Sequence, residues 1–138
     1  MKRTAWMLVL AWALQPAGAM ERGITELGRP FVSGGVGLEE ATALNDEKSH
    51  YALAILTATK GSGAFLARVR IRITDEKSNQ VLDTVMDGPW LLVDLAAGRY
   101  QVEAFQDTRT QTNVVTFGAG DHRQTVFYFT ARDEAESN

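Results

Sequence analysis

The chain has 138 residues, 45% of them hydrophobic and 22% charged, with 12 glycines, 3 prolines and no cysteine. This is the composition of one ordinary globular domain, and it excludes a collagen-like, disulfide-stapled or broadly disordered chain. The formal net charge is −3 at pH 7, which argues against a nucleic-acid partner, and without thiols stability has to come from packing.

Lys2 and Arg3 precede an apolar run from Ala5 to Leu14, Pro16 ends that run, and Ala17-Gly18-Ala19 has the small-x-small pattern of a signal peptidase site. Residues 1–19 are therefore expected to be an export signal cleaved after Ala19. A membrane-spanning helix takes about 20 apolar residues, and the run is about half that. With no cysteine to carry a lipid, the expected product is a soluble periplasmic chain starting at Met20, without stable membrane insertion. Losing Lys2 and Arg3 takes the net charge from −3 to −5.

Residues 20–48 divide into two parts. Glu21 to Gly37 is polar and glycine-rich, ending in Ser33-Gly34-Gly35-Val36-Gly37, and reads as an extended arm. Leu38, Ala41 and Leu44 then recur at helical spacing up to about Lys48, with Glu39 and Glu40 in the first turn where the helix dipole favours negative charge.

From residue 49 to 130 the pattern changes to short β-type runs separated by turn residues. Seven strands are predicted: Tyr51 to Thr59, Ala67 to Thr74, Gln80 to Met86, Trp90 to Leu95, Arg99 to Gln106, Gln111 to Phe117 and Arg123 to Thr130. Runs of this length and spacing, with no helical segment between them, predict an all-β, seven-stranded antiparallel sandwich. The acidic residues 131–138 are expected to fray.

Alternation assigns faces within the strands. Val69, Ile71 and Ile73 fall on one side of their run and Arg68, Arg70 and Arg72 on the other. Tyr100, Val102 and Ala104 likewise oppose Gln101 and Glu103, with Phe105 departing from the scheme. Val126 to Phe129 is apolar on both faces, which fits either a doubly covered strand or one with an aromatic surface.

The stretch from Val69-x-Ile71-x-Ile73 through Asp87-Gly88-Pro89-Trp90-Leu91-Leu92 to Leu95-Ala96-Ala97-Gly98-Arg99-Tyr100-x-Val102 resembles a carboxypeptidase regulatory-like domain. The family's turn has two prolines where this chain has Ala96 and Ala97. The resemblance spans about Tyr51 to Phe129 and implies a transthyretin-like sandwich, classed with carbohydrate-binding-like folds. It further implies that Tyr100 buries its ring and caps nearby backbone with its hydroxyl, and that Trp90 and Leu92 face the core.

Catalytic constellations are not evident. Ser62 lies in Gly61-Ser62-Gly63, which lacks the spacing of a nucleophile elbow. His50 and His122 have no histidine partner at metal-ligand spacing. Enzymes of the implied fold, the hydroxyisourate hydrolases and intradiol dioxygenases, carry histidine sets or Tyr and His iron ligands with no counterpart here. No cofactor or metal is expected. The surface residues left as candidates for ligand binding are Arg68, Arg70 and Arg72, which suit an anionic partner, and Trp90 and Tyr128, which suit a sugar ring. Cross-strand pairing with Asp83, Glu103 and Glu76 competes with the first role, and burial of Trp90 with the second. The expected function is a non-enzymatic accessory or interaction module of the bacterial envelope, its partner an envelope protein or a glycan. A periplasmic receptor for a carbohydrate or small anionic ligand is the alternative, and an enzyme of transthyretin-like fold the third reading.

Overall fold

The computed structural model describes residues 20–130, so the expected export signal and the expected frayed tail lie outside the described residues. The chain is mostly β, with two sheets and one short helix. Nine strands occur among the described residues: β1 (Glu21–Ile24), β2 (Pro30–Gly34), β3 (Leu53–Thr59), β4 (Arg70–Asp75), β5 (Gln80–Val85), β6 (Trp90–Val93), β7 (Gly98–Gln106), β8 (Arg109–Phe117) and β9 (Arg123–Phe129). Helix α1 (Leu38–Glu47) and a 3-10 turn over Lys48–His50 separate β2 from β3. No described helix is long and apolar enough to cross a membrane.

Each of the seven predicted runs forms a strand, but the count of seven is too low. The segment expected to be an extended arm supplies β1 and β2. Strand β2 is an interior member of the five-stranded sheet, whose order is β1-β2-β6-β3-β9, and the four-stranded sheet runs β5-β4-β7-β8. The arm was misread because its glycines look like flexibility when they are sites of close approach. A Cβ on Gly88 would lie 2.3 Å from the Gly34 carbonyl oxygen, and one on Gly35 would lie 2.7 Å from the Trp90 ring. Ser33, almost fully buried, accepts a hydrogen bond from the Asp87 amide at 3.1 Å. Ser33-Gly34-Gly35 is therefore a packed strand end.

The expectation of an all-antiparallel arrangement also fails at one place. Strand β9 runs parallel to β3, from Leu53 opposite Arg123 to Thr59 opposite Phe129. Parallel pairing needs a long crossover, here the whole of β4 to β8, so no local sequence signal announces it.

Both sheets feed one core. Leu53, Ile55, Leu91, Val93, Phe127 and Phe129 from the five-stranded sheet share a buried cluster with Val69, Ile71, Ile73, Val102, Ala104 and Phe117 from the β4–β8 region. The period-two pattern of β4 is thus observed, with Ile71 and Ile73 inside. Full burial of each such side chain stabilises by about 1.5–3 kcal/mol, which in a chain without disulfides is the main stabilising contribution. Tyr100 is placed as expected of it: it is buried, stacks on Phe117 at 5.5 Å between ring centroids, and donates its hydroxyl proton to the Ala96 carbonyl at 2.8 Å.

A second, smaller cluster lies on the opposite face of the five-stranded sheet, where α1 covers it. It consists of Val32, Leu44, Tyr51, Ala54 and Leu92, with Met20 and Trp90 packed at its margin. Trp90 and Leu92 accordingly face away from the inter-sheet core, contrary to expectation, while Leu91 and Val93 face into it. The pleat dictates this, since alternate residues of β6 point to opposite faces.

The two open flanks are bridged. On one side Asn113 donates to Thr125 at 2.8 Å, while Gln111 and Arg109 donate to the carbonyls of Tyr128 and Thr130. On the other, the Glu26 amide donates to the Val81 carbonyl at 3.0 Å and Gln80 to the Glu26 carboxylate at 2.8 Å. Both contacts occupy backbone groups or flanks that would otherwise invite edge pairing.

Candidate functional site

The five candidate residues fall on two different surfaces. The arginines belong to the outer face of the four-stranded sheet. Arg68 leaves the expected stripe: it precedes β4 in a left-handed conformation, φ 66°, with its amide bonded to the Met86 carbonyl. Arg70 and Arg72 remain on the face, and both guanidinium groups are occupied. Arg70 makes two bonds to the Asp83 carboxylate at 2.8 and 2.6 Å, and Arg72 makes two to Glu103 Oε1 at 3.1 and 3.0 Å. The Arg70 bonds hold the Asp83 carboxyl below the usual carboxylate range and raise the arginine in turn. Both guanidinium groups also lie over Phe105, at 5.4 and 5.3 Å from its ring. This gives Phe105 its place: it faces outward, in register with Arg70, and its ring serves as the cations' platform. Cross-strand pairing uses most of the charge that an anionic ligand would need.

Trp90 and Tyr128 share the outer face of the five-stranded sheet. Trp90 stands opposite Leu56, Leu56 opposite Val126, and Ala58 opposite both Tyr128 and, through an isolated bridge, Phe65. These pairings set Trp90, Leu56, Val126, Tyr128 and Phe65 on adjoining positions of one surface. Trp90 and Val126 are two strand spacings apart, about 10 Å, and Tyr128 lies two residues further along β9, about 12 Å from Trp90. Helix α1 covers the neighbouring rows at Val32, Ala54 and Leu92 but stops short of this one. Tyr128 is 51% exposed and Phe65 60%, whereas Trp90, Leu56 and Val126 are half-buried. Lys48 sits 4.0 Å from the centre of the Trp90 ring and donates to Gln124 at 3.3 Å, forming the border with the helix. Lys60 follows β3 at the opposite end, its amide bonded to the Phe129 carbonyl. None of the side chains just named is acidic.

Sequence reading picked out two members of this surface and missed three. Phe65 lies in a loop after Gly61-Ser62-Gly63, and Leu56 and Val126 look like ordinary strand residues. The β3–β9 pairing, across some seventy residues of chain, brings Leu56 and Val126 together, and the bridge to Ala58 adds Phe65.

The structure also joins two residues that seemed unrelated. His50 and His122 line one groove of about 300 Å³ together with Arg29, Asp94 and Asp121, floored by Ala52, Leu95 and Ala96. His122 donates its Nδ1 proton to the Tyr51 carbonyl at 2.7 Å, and Arg29 is bonded to Asp94 at 3.0 Å. Among the described residues, no group of three or more His, Cys, Asp or Glu is placed to hold a metal ion. Two further open grooves, of about 330 and 390 Å³, flank Asp75, Glu76, Arg99 and Tyr100. Asp75 is committed there to its own loop, accepting from the amides of Asn79 and Lys77 at 2.9 Å each, which lowers its pKa.

Comparison of the chain with protein-family models, curated proteins and solved structures finds no match.

Proposed function

We propose that this protein is an exported, non-enzymatic interaction module whose two sheets stack as a transthyretin-like sandwich of the carboxypeptidase regulatory-like type. Its working surface is the uncovered outer face of the five-stranded sheet, and its partner is an envelope protein. The observation that carries the reading is the continuous row Trp90–Leu56–Val126 with Tyr128 and Phe65 beside it: exposed aromatic groups adjoining half-buried aliphatic ones, next to a helix that leaves them open. Contiguous apolar surface of this kind marks contact sites, and the cores of protein interfaces favour aromatic residues and exclude charge. The lysines at the two ends, Lys48 and Lys60, favour a partner whose apolar patch is rimmed by carboxylates. Export to the periplasm, with cleavage after Ala19, belongs to the same proposal.

A photo-crosslinking residue at Tyr128 tests this in cells that export the protein. The expected result is one discrete adduct, lost on Phe65→Ser and absent when the probe sits at Thr112 on the outer face of the other sheet. No adduct at Tyr128, or an equal one at Thr112, would overturn it. The carbohydrate-receptor reading draws on the exposed Tyr128 ring and the Trp90 ring. Trp90 is the single tryptophan of residues 20–138, so a saturable fluorescence change with an oligosaccharide panel would favour that reading.

A further inference from the structure

We propose that cleavage after Ala19 leaves an α-ammonium group on Met20 that pairs with Glu40 and clamps the start of β1 to α1. The inference rests on the export reading and extends it to what processing does for the fold. Strand β1 is tied to the helix at one point already: Arg22 donates two hydrogen bonds to Glu47 at 2.9 and 3.1 Å. Met20 and Arg22 point to the same face of β1, two residues apart, while Glu40 and Glu47 lie seven apart on one face of α1, with the buried Leu44 between them.

Met20 and Glu40 meet beside Gly34. A Cβ built there would be 3.3 Å from Met20 Cα and 2.9 Å from Glu40 Oε1, so the residue-20 backbone and this carboxylate flank the same small gap. Glu40 is held in position by a long hydrogen bond from the Gly35 amide, 3.4 Å, and the Met20 side chain packs against the cluster beneath α1.

The surroundings already carry an excess of negative charge. Glu21 shares a hydrogen bond with Asp87 and is raised in pKa by that bond and by the Asp87 charge, with Arg68 as the cation acting against the shift. An ammonium on Met20 would face Glu40 from α1, with Glu21 on its own strand and Asp87 from the β5–β6 turn close by. In an uncleaved chain that nitrogen is a neutral amide and supplies no such charge.

The test uses the chain with Met20 as its first residue, confirmed by intact mass; it contains every described element. The α-amino pKa, read by NMR titration, is expected at least about half a unit above the ordinary 7.7–8.0, and back within that range in Glu40→Gln. Glutamine keeps an amide oxygen for the Gly35 amide, so the variant removes the charge and keeps that hydrogen bond. Retaining Ala19 ahead of Met20 should lower the thermal midpoint, Glu40→Gln should lower it by at least as much because it also gives up the carboxylate's interaction with the helix dipole, and the combined change should lower it no further than Glu40→Gln alone. An ordinary α-amino pKa in the parent chain, or additive effects of the two changes, would overturn the clamp. Failure of the export reading shows separately, as a different N-terminal mass in chain recovered from an exporting cell.

Discussion

Arg72 and Glu103 stand opposite each other on β4 and β7, and two hydrogen bonds of 3.1 and 3.0 Å close the pair. Both side chains keep partial contact with solvent, 37% and 15% exposed, so the pair gains only modestly over hydration. A double-mutant cycle with Arg72→Ala and Glu103→Ala should give a coupling of about 0.5–1 kcal/mol in urea denaturation. A coupling near zero would mean that the pair merely decorates the surface.

The carboxylates give the acid limb of stability a definite sign. Asp83 is lowered by the bond from Arg70, and Asp75 by the Asn79 and Lys77 amides of its loop. A carboxyl whose folded pKa lies below its unfolded value stabilises the fold above the unfolded value, near 3.9, and loses that contribution as pH falls through the folded one. Glu21 is the opposite case: raised by Asp87, it favours the fold only while protonated and opposes it as pH rises. Glu21→Gln should therefore raise the thermal midpoint at pH 7 and leave it unchanged near pH 3, whereas Asp83→Asn should flatten the acid limb. Midpoints from pH 3 to pH 8 for the three chains decide both.

Short-range periodicity made much of the β architecture legible. The alternation of Val69, Ile71 and Ile73 with arginines assigned the buried face of β4, and turn residues bounded each of the seven later strands. The helix showed itself through Leu38, Ala41 and Leu44. What failed depended on distant partners. Gly34 and Gly35 read as flexible because Gly88 and Trp90, which press against them, are more than fifty residues away. Arg68 read as part of a stripe because a backbone turn before Arg70 leaves no trace in alternation. For the candidate site, Trp90 and Tyr128 were legible as aromatic groups, but their common face rests on the parallel pairing of β3 with β9, and Phe65 enters only through its bridge to Ala58.

Gly88 tests the packing of the misread arm directly. Its missing side chain lets the Gly34 backbone pass, with the carbonyl oxygen 2.3 Å from where a Cβ would stand. Gly88→Ala has to push β2 away from the β5–β6 turn, straining the Ser33–Asp87 hydrogen bond as it does so. A loss of about 3 kcal/mol is expected, at the upper end of ordinary overpacking, which for a domain of this size lowers the midpoint by roughly 10–20 °C. If Gly88→Ala unfolds within a degree or two of the parent chain, β2 is not packed as an interior strand.

Neighbouring positions on β9 give the sharpest separation of fold from function. Phe127 points into the core with no exposed surface, while Tyr128, the next residue, is 51% exposed on the opposite face. The sequence alone left this run undivided, since all of Val126 to Phe129 is apolar or aromatic. Phe127→Ala should cost about 3–5 kcal/mol, because it removes a large buried ring and leaves a cavity between two sheets that cannot fully collapse. Tyr128→Ala should cost within about 0.5 kcal/mol, as surface substitutions do: the Gln111 bond is to its backbone carbonyl and survives truncation. The same Tyr128→Ala chain, folded and as stable as the parent, should lose its partner. Equal destabilisation by both changes would place Tyr128 in the core and remove the exposed aromatic surface on which the proposed contact depends.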